Sequence, residues 1–92
     1  MARTRLHVSA QAIELLRRQL SMIPSDRIAA IVWAADENGV GAWEVGFHPT
    51  AIVPPEWIET FEDGIQIVIE PPWVSELDGR TLGVVNGYFQ VI

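Results

Sequence analysis

Apolar residues recur along this chain at two spacings, and the switches between them mark its elements. Ile13, Leu16 and Leu20 lie three and four apart, with Arg17, Arg18 and Gln19 on the other side, so the spacing predicts an amphipathic helix over 10–20. Ser9 stands in front of it as an N-cap, and Val8 and Ile13 fit a hydrophobic staple around that cap. Arg17 and Arg18 fall in the last turn, where cations suit the helix dipole. Residues 6–8 read as a short lead-in strand, and residues 21–26, with Pro24, end the helix.

Beyond the helix the period shortens. Residues 27–35 are a nearly continuous apolar run rich in Ile, Val and Trp, as in the central strand of a sheet. A loop at 36–41 follows. From 43 to 48 the pattern alternates, with Trp43, Val45 and Phe47 on one face and Glu44, Gly46 and His48 on the other. Prolines 49, 54 and 55 make 49–55 irregular, because each removes a ladder donor. Residues 57–62 and 65–70 flank Asp63-Gly64, a hairpin signal, and Ile65, Ile67 and Ile69 share a face. Residues 71–77 open with two prolines and predict a short helical turn. Leu77-Asp78-Gly79 is a tight turn. Asn86-Gly87 then separates strands at 81–85 and 88–92, since a type I′ turn needs positive φ at both central residues. The outline is an α+β domain over 1–92, one N-terminal helix packed on a mostly antiparallel mixed sheet of about five to seven strands.

Composition narrows the function classes. Ninety-two residues, 49% apolar and 20% charged, fit one folded domain. The net charge of −6 comes from six basic and twelve acidic residues. An acidic body argues against nucleic acid and anionic membranes, which both select clustered cations. The reservation is the Arg-rich start, where Arg3, Arg5, Arg17 and Arg18 lie. There is no cysteine, hence no disulfide, thiolate metal site or thiol nucleophile. No apolar run approaches the roughly 18–20 residues of a membrane span. The Met-Ala-Arg-Thr-Arg start has no apolar segment behind it, so no secretory signal is expected and the expected location is cytoplasmic.

The order of these elements, with several residues, resembles the HesB-like family, the A-type iron–sulfur carrier proteins. The matching features are Val8-Ser9 with Ala12 and a leucine-rich helix, Gly46-Phe47 after a glycine loop, and Asp63-Gly64 followed by Ile65-Gln66-Ile67-Val68-Ile69. Leu77-Asp78-Gly79, Thr81-Leu82, Val85, Gly87 and Phe89 match most closely. The likeness spans almost the whole chain and lies in order and spacing. It implies a barrel-like mixed β-fold with a helix alongside, and a role in carrying iron or an iron–sulfur cluster. The family's chemistry rests on three cysteines. One would stand at Val40, between Gly39 and Gly41, and a Cys-Gly-Cys pair would lie past Ile92. This chain offers none of them, and clusters require soft thiolate ligands. The resemblance therefore implies the fold but no cofactor, and no family site residue is carried over.

Other residues supply candidate chemistry. Glu44 and His48 share a strand face, with Cα atoms about 13 Å apart at roughly 3.3 Å per residue, too far to share a metal's first shell. The competing reading is a solvated strand face. His7, beside the helix start, reads as an exposed or half-buried side chain. Asp36 and Glu37, with Asn38, could hold a hard cation, although their spacing matches no EF-hand and a solvated turn is the stronger account. Glu56, Glu59, Glu62 and Asp63 read as a wet acidic surface. No Ser-His-Asp order, nucleophile elbow, phosphate loop or zinc spacing appears. Among the four tryptophans, Trp33 and Trp43 are expected in the core, and Trp57 and Trp73 are expected half exposed at element boundaries. Trp57 and Trp73 are thus candidate protein contacts, since tryptophan is enriched at interface hot spots.

The leading reading is a non-catalytic HesB-like binding or accessory module, near iron–sulfur assembly, with a protein partner. The alternative is a small-molecule or hard-metal binder, or an enzyme, using carboxylates and His48 in a pocket between the 36–42 and 49–55 loops. A third possibility is a homo-oligomer subunit, joined through the 88–92 strand if that strand lies at a sheet edge.

Overall fold

The computed structural model describes residues 5–92; Arg3 and the Met-Ala-Arg-Thr start lie outside them. The helix α1 (Ala10–Leu20) forms where the spacing placed it, behind the short strand β1 (His7–Val8). The Ser9 hydroxyl accepts the Ala12 N–H at 3.1 Å, satisfying one of the four donors a helix start leaves free. Val8 and Ile13 both enter the core, which closes the staple. Ser9→Ala is expected to cost about 1 kcal/mol, which lowers the melting temperature by about 4–8 °C for a domain of this size. Thermal denaturation followed by circular dichroism checks it.

The remaining elements are β2 (Arg27–Ala35), β3 (Gly41–Pro49), β4 (Ile58–Thr60), β5 (Gln66–Ile69), α2 (Pro71–Leu77), β6 (Thr81–Val85) and β7 (Tyr88–Val91). The predicted strand at 57–62 is shorter than its pattern, because a 3-10 turn at Pro55–Trp57 runs up to β4 and another follows at Glu62–Gly64. The turn chemistry is as expected. Asp63 and Gly64 have φ of 59° and 75°, and Asn86 and Gly87 have 52° and 82°.

The strands form two mixed sheets. One has the order β1-β6-β7, with β1 parallel to β6; the other has the order β3-β2-β5-β4, with β2 parallel to β5. The other three pairings are antiparallel. The fold is α+β, as expected, with β2 internal to its sheet. The expected single sheet is divided, and among the described residues no ladder closes the two into a barrel. β7 lies beside β3 without pairing to it. Trp43, Val45 and Phe47 of β3 and Phe89 and Val91 of β7 all pack against the core between the sheets, and their bulk occupies the gap. β7 is an edge strand, as the alternative of association through 88–92 requires. Among the described residues, no helix is long and apolar enough to cross a membrane.

The four-stranded sheet has two unlike faces. On one, Ala29, Ile31, Ile67 and Ile69 meet Ala12, Ile13 and Leu16 of α1, together with Leu77 and Leu82. On the other, Ile28, Ala30 and Val68 are covered only by Val32, Val53, Trp57 and Ile58. The helix covers the first half of β2, where residues 28–31 are buried. The second half alternates between half-buried and exposed.

Candidate functional site

That uncovered half of β2 corrects one expectation. Trp33 is not in the core; its side chain is 46% exposed, since α1 does not reach that end of the strand. Antiparallel pairing across the 36–40 turn sets Trp33 directly opposite Trp43. Their rings meet edge to face, centroids 5.0 Å apart at 73°, the geometry that aromatic quadrupoles favour. Trp73, on the first turn of α2, meets Trp43 at 5.5 Å and 86°. Three of the four tryptophans thus form one row.

Local chemistry holds the row in place. Asp36 Oδ1 accepts the N–H groups of Asn38 and Val40, each at 2.9 Å, and shapes the turn. Gly41 lies directly beneath the Trp33 ring, which occupies the space a Cβ would need. The indole N–H of Trp73 donates to Glu70 Oε2 at 3.3 Å. Glu76 and Arg80 complete the rim of a shallow depression of about 280 Å³ over the three rings. The depression is apolar in its middle and bears one charge of each sign at its edge. Aromatic side chains surrounded by such a rim are what protein interfaces concentrate at their centres.

A second depression, of about 190 Å³, lies on the opposite face of the same sheet. Ala30 and Val32 form its floor, Val53 and Trp57 a wall, and His48 and Glu70 supply its polar groups. It exists because two of the smallest residues, Ala30 and Gly46, sit opposite each other on that face.

The predicted site residues are dispersed across these features. Trp73 joins the row, whereas Trp57 packs against the other cluster, so the two do not share a surface. His48 lines the second depression beside the 49–57 segment, but Asp36 and Glu37 stay exposed on the β2–β3 turn and Glu44 is exposed on β3, outside that depression. The pocket expected between the 36–42 and 49–55 loops is therefore bordered by the second loop alone. Among the described residues, no three His, Asp or Glu side chains gather as a metal site. His7 is exposed on β1. Trp43 packs against the core as expected, whereas Trp33 lies at the surface, although counting outward from the 36–41 turn pairs 33 with 43. Glu70 carried no signal, because its place on the rim of this depression depends on the non-local parallel pairing of β5 with β2.

A protein from Aquifex aeolicus, determined by solution NMR as a structural-genomics target, is similar over 100% of this chain and 94% of its own, with 21% identity and a TM-score of 0.69. The likeness is one of fold. No family model matches the chain, and neither does any of the curated proteins.

Proposed function

We propose that this chain is a non-catalytic binding module of HesB-like fold that engages a protein partner through the row of Trp33, Trp43 and Trp73. The observation that carries the reading is the row itself. Three indoles from β2, β3 and α2 are held edge to face at the surface, and burial of the hydrophobic core does not require the outermost of them to be there. Large rigid rings left partly in water gain most when a partner covers them. The net charge of −6 favours a protein over a nucleic acid as that partner.

The HesB-like assignment rests on the order of the motifs, with the Ser9 cap, the Asp63-Gly64 and Asn86-Gly87 turns and the Leu77-Asp78-Gly79 corner as its supports. In this reading the two sheets are the walls of a barrel-like fold that meet where β7 lies beside β3. A cytoplasmic accessory role near iron–sulfur assembly belongs to the same proposal and operates through protein contact, because residues 1–92 contain no thiolate to hold a cluster.

The experiment compares association with stability. Trp33→Ala and Trp73→Ala are each expected to weaken partner binding by about 30-fold, the scale of a hot-spot truncation of about 2 kcal/mol. Trp33→Ala is expected to cost only about 1 kcal/mol of folding free energy, the value of one aromatic pair. Binding titration and urea denaturation give the two numbers. Lost stability with unchanged association would overturn the proposal.

A further inference from the structure

The depression on the opposite face is unused by that reading, and its chemistry is unlike that of the tryptophan row. Its floor is hollow because Ala30 faces Gly46 across the β2–β3 ladder. The His48 ring leans over Gly46, with Nε2 3.5 Å from where a Cβ would stand, so the imidazole borders the hollow without filling it. The wall is Trp57 and Val53, brought in by the proline-punctuated turns at Thr50–Ile52 and Pro55–Trp57. Glu70 closes one end. It is half-buried, and its carboxylate accepts only a neutral donor, the Trp73 indole, among the bonds found. None of the ion pairs among the described residues involves it. Glu70 is the N-cap residue of α2, and no Lys or Arg among the described residues pairs with it, so its charge is left for a ligand cation to meet with a charge-assisted hydrogen bond.

From these features we infer that this depression binds a small protonated amine carrying one apolar ring or branched chain, with the ammonium on Glu70 and the apolar part against Ala30, Val32 and Trp57. Size limits the ligand. The hollow of about 190 Å³ is smaller than drug-sized pockets of roughly 300–1,000 Å³ and slightly larger than the roughly 150 Å³ that accommodates benzene. A single ring with a short aminoalkyl arm matches it. Charge sets the sign, because the lining has a carboxylate and no Lys or Arg, in a chain of net charge −6. Trp57 supplies apolar area for the ring or branched chain of the ligand.

The test uses the whole chain and three ligands of nearly one shape: phenethylamine, phenethyl alcohol and hydrocinnamate. Binding is followed by nitrogen–proton correlation spectra, with the Ala30 and Val32 amides and the Trp57 indole as reporters. Phenethylamine is expected to shift all three, and the neutral and anionic analogues to bind at least about tenfold more weakly, the difference a charge-assisted hydrogen bond makes. Glu70→Gln keeps the size and the acceptor for Trp73 while removing the charge, and is expected to weaken the amine by the same factor. The inference is overturned if millimolar phenethylamine leaves these resonances unmoved. It is equally overturned if the alcohol binds as tightly as the amine, or if Glu70→Gln binds the amine unchanged. Movement of the same resonances on dilution, with no amine present, would mark the face as an interface between copies and also overturn it.

Discussion

Replacing Leu16 by alanine is expected to remove about 3–4 kcal/mol of folding free energy, the largest effect of any single truncation in α1. Leu16 is fully buried, at 0% exposure, in the cluster where the helix meets Ile31, Ile67 and Ile69. Interiors are packed near crystal density, so rigid strands on one side and helix backbone on the other cannot collapse into the space left behind. A domain of this length carries about 5–14 kcal/mol in total, so the variant forfeits about a fifth of its stability or more. Its melting temperature is expected to fall by at least about 12 °C. The neighbouring Leu15 is only half-buried and provides the control: Leu15→Ala is expected to cost about 1 kcal/mol. Equal losses at the two positions in urea denaturation would mean that the helix face is assigned incorrectly.

The second large effect is Trp43→Ala, expected to cost about 3 kcal/mol, several times the cost of Trp33→Ala. The two residues are cross-strand partners and similar in sequence context, but Trp43 packs against the main core and touches both other rings of the row. Trp33 has a single ring neighbour and is nearly half exposed. Trp43→Ala therefore removes core packing and two edge-to-face contacts together, and also frees Trp33 and Trp73 to move. Its near-ultraviolet circular dichroism should lose most of the signal from coupled indoles. Thermal denaturation gives the stability difference between the two variants. Similar costs for both would show that the row is a surface ornament independent of the core.

These two residues also show what the sequence could disclose. The α1 helix was legible to the residue, because a cap at Ser9, a staple at Val8 and Ile13 and an apolar stripe are all local signals. The positive-φ turns at Asp63-Gly64 and Asn86-Gly87 were legible for the same reason. Trp33 was misplaced because its strand is apolar from end to end, and the pattern carries no record of where α1 stops covering it. The division into two sheets was illegible as well. It depends on β1 reaching across most of the chain to pair in parallel with β6, and on the shorter but still non-local parallel pairing of β2 with β5. The His48 depression was half legible. The prolines announced the irregular wall, but Glu70 arrives through β5, and the acids expected beside His48 stay on the turn and on the exposed face of β3.

The proposed function depends above all on another protein docking at the surface around Trp33. Its most direct test is photo-crosslinking in cells from a benzophenone side chain introduced at position 33, with exposed Gln11 on α1 as the control position. Discrete protein adducts are expected from position 33, absent from position 11 and competed away by the unsubstituted chain. No adduct from position 33, or the same adducts from both positions, would contradict the proposed function.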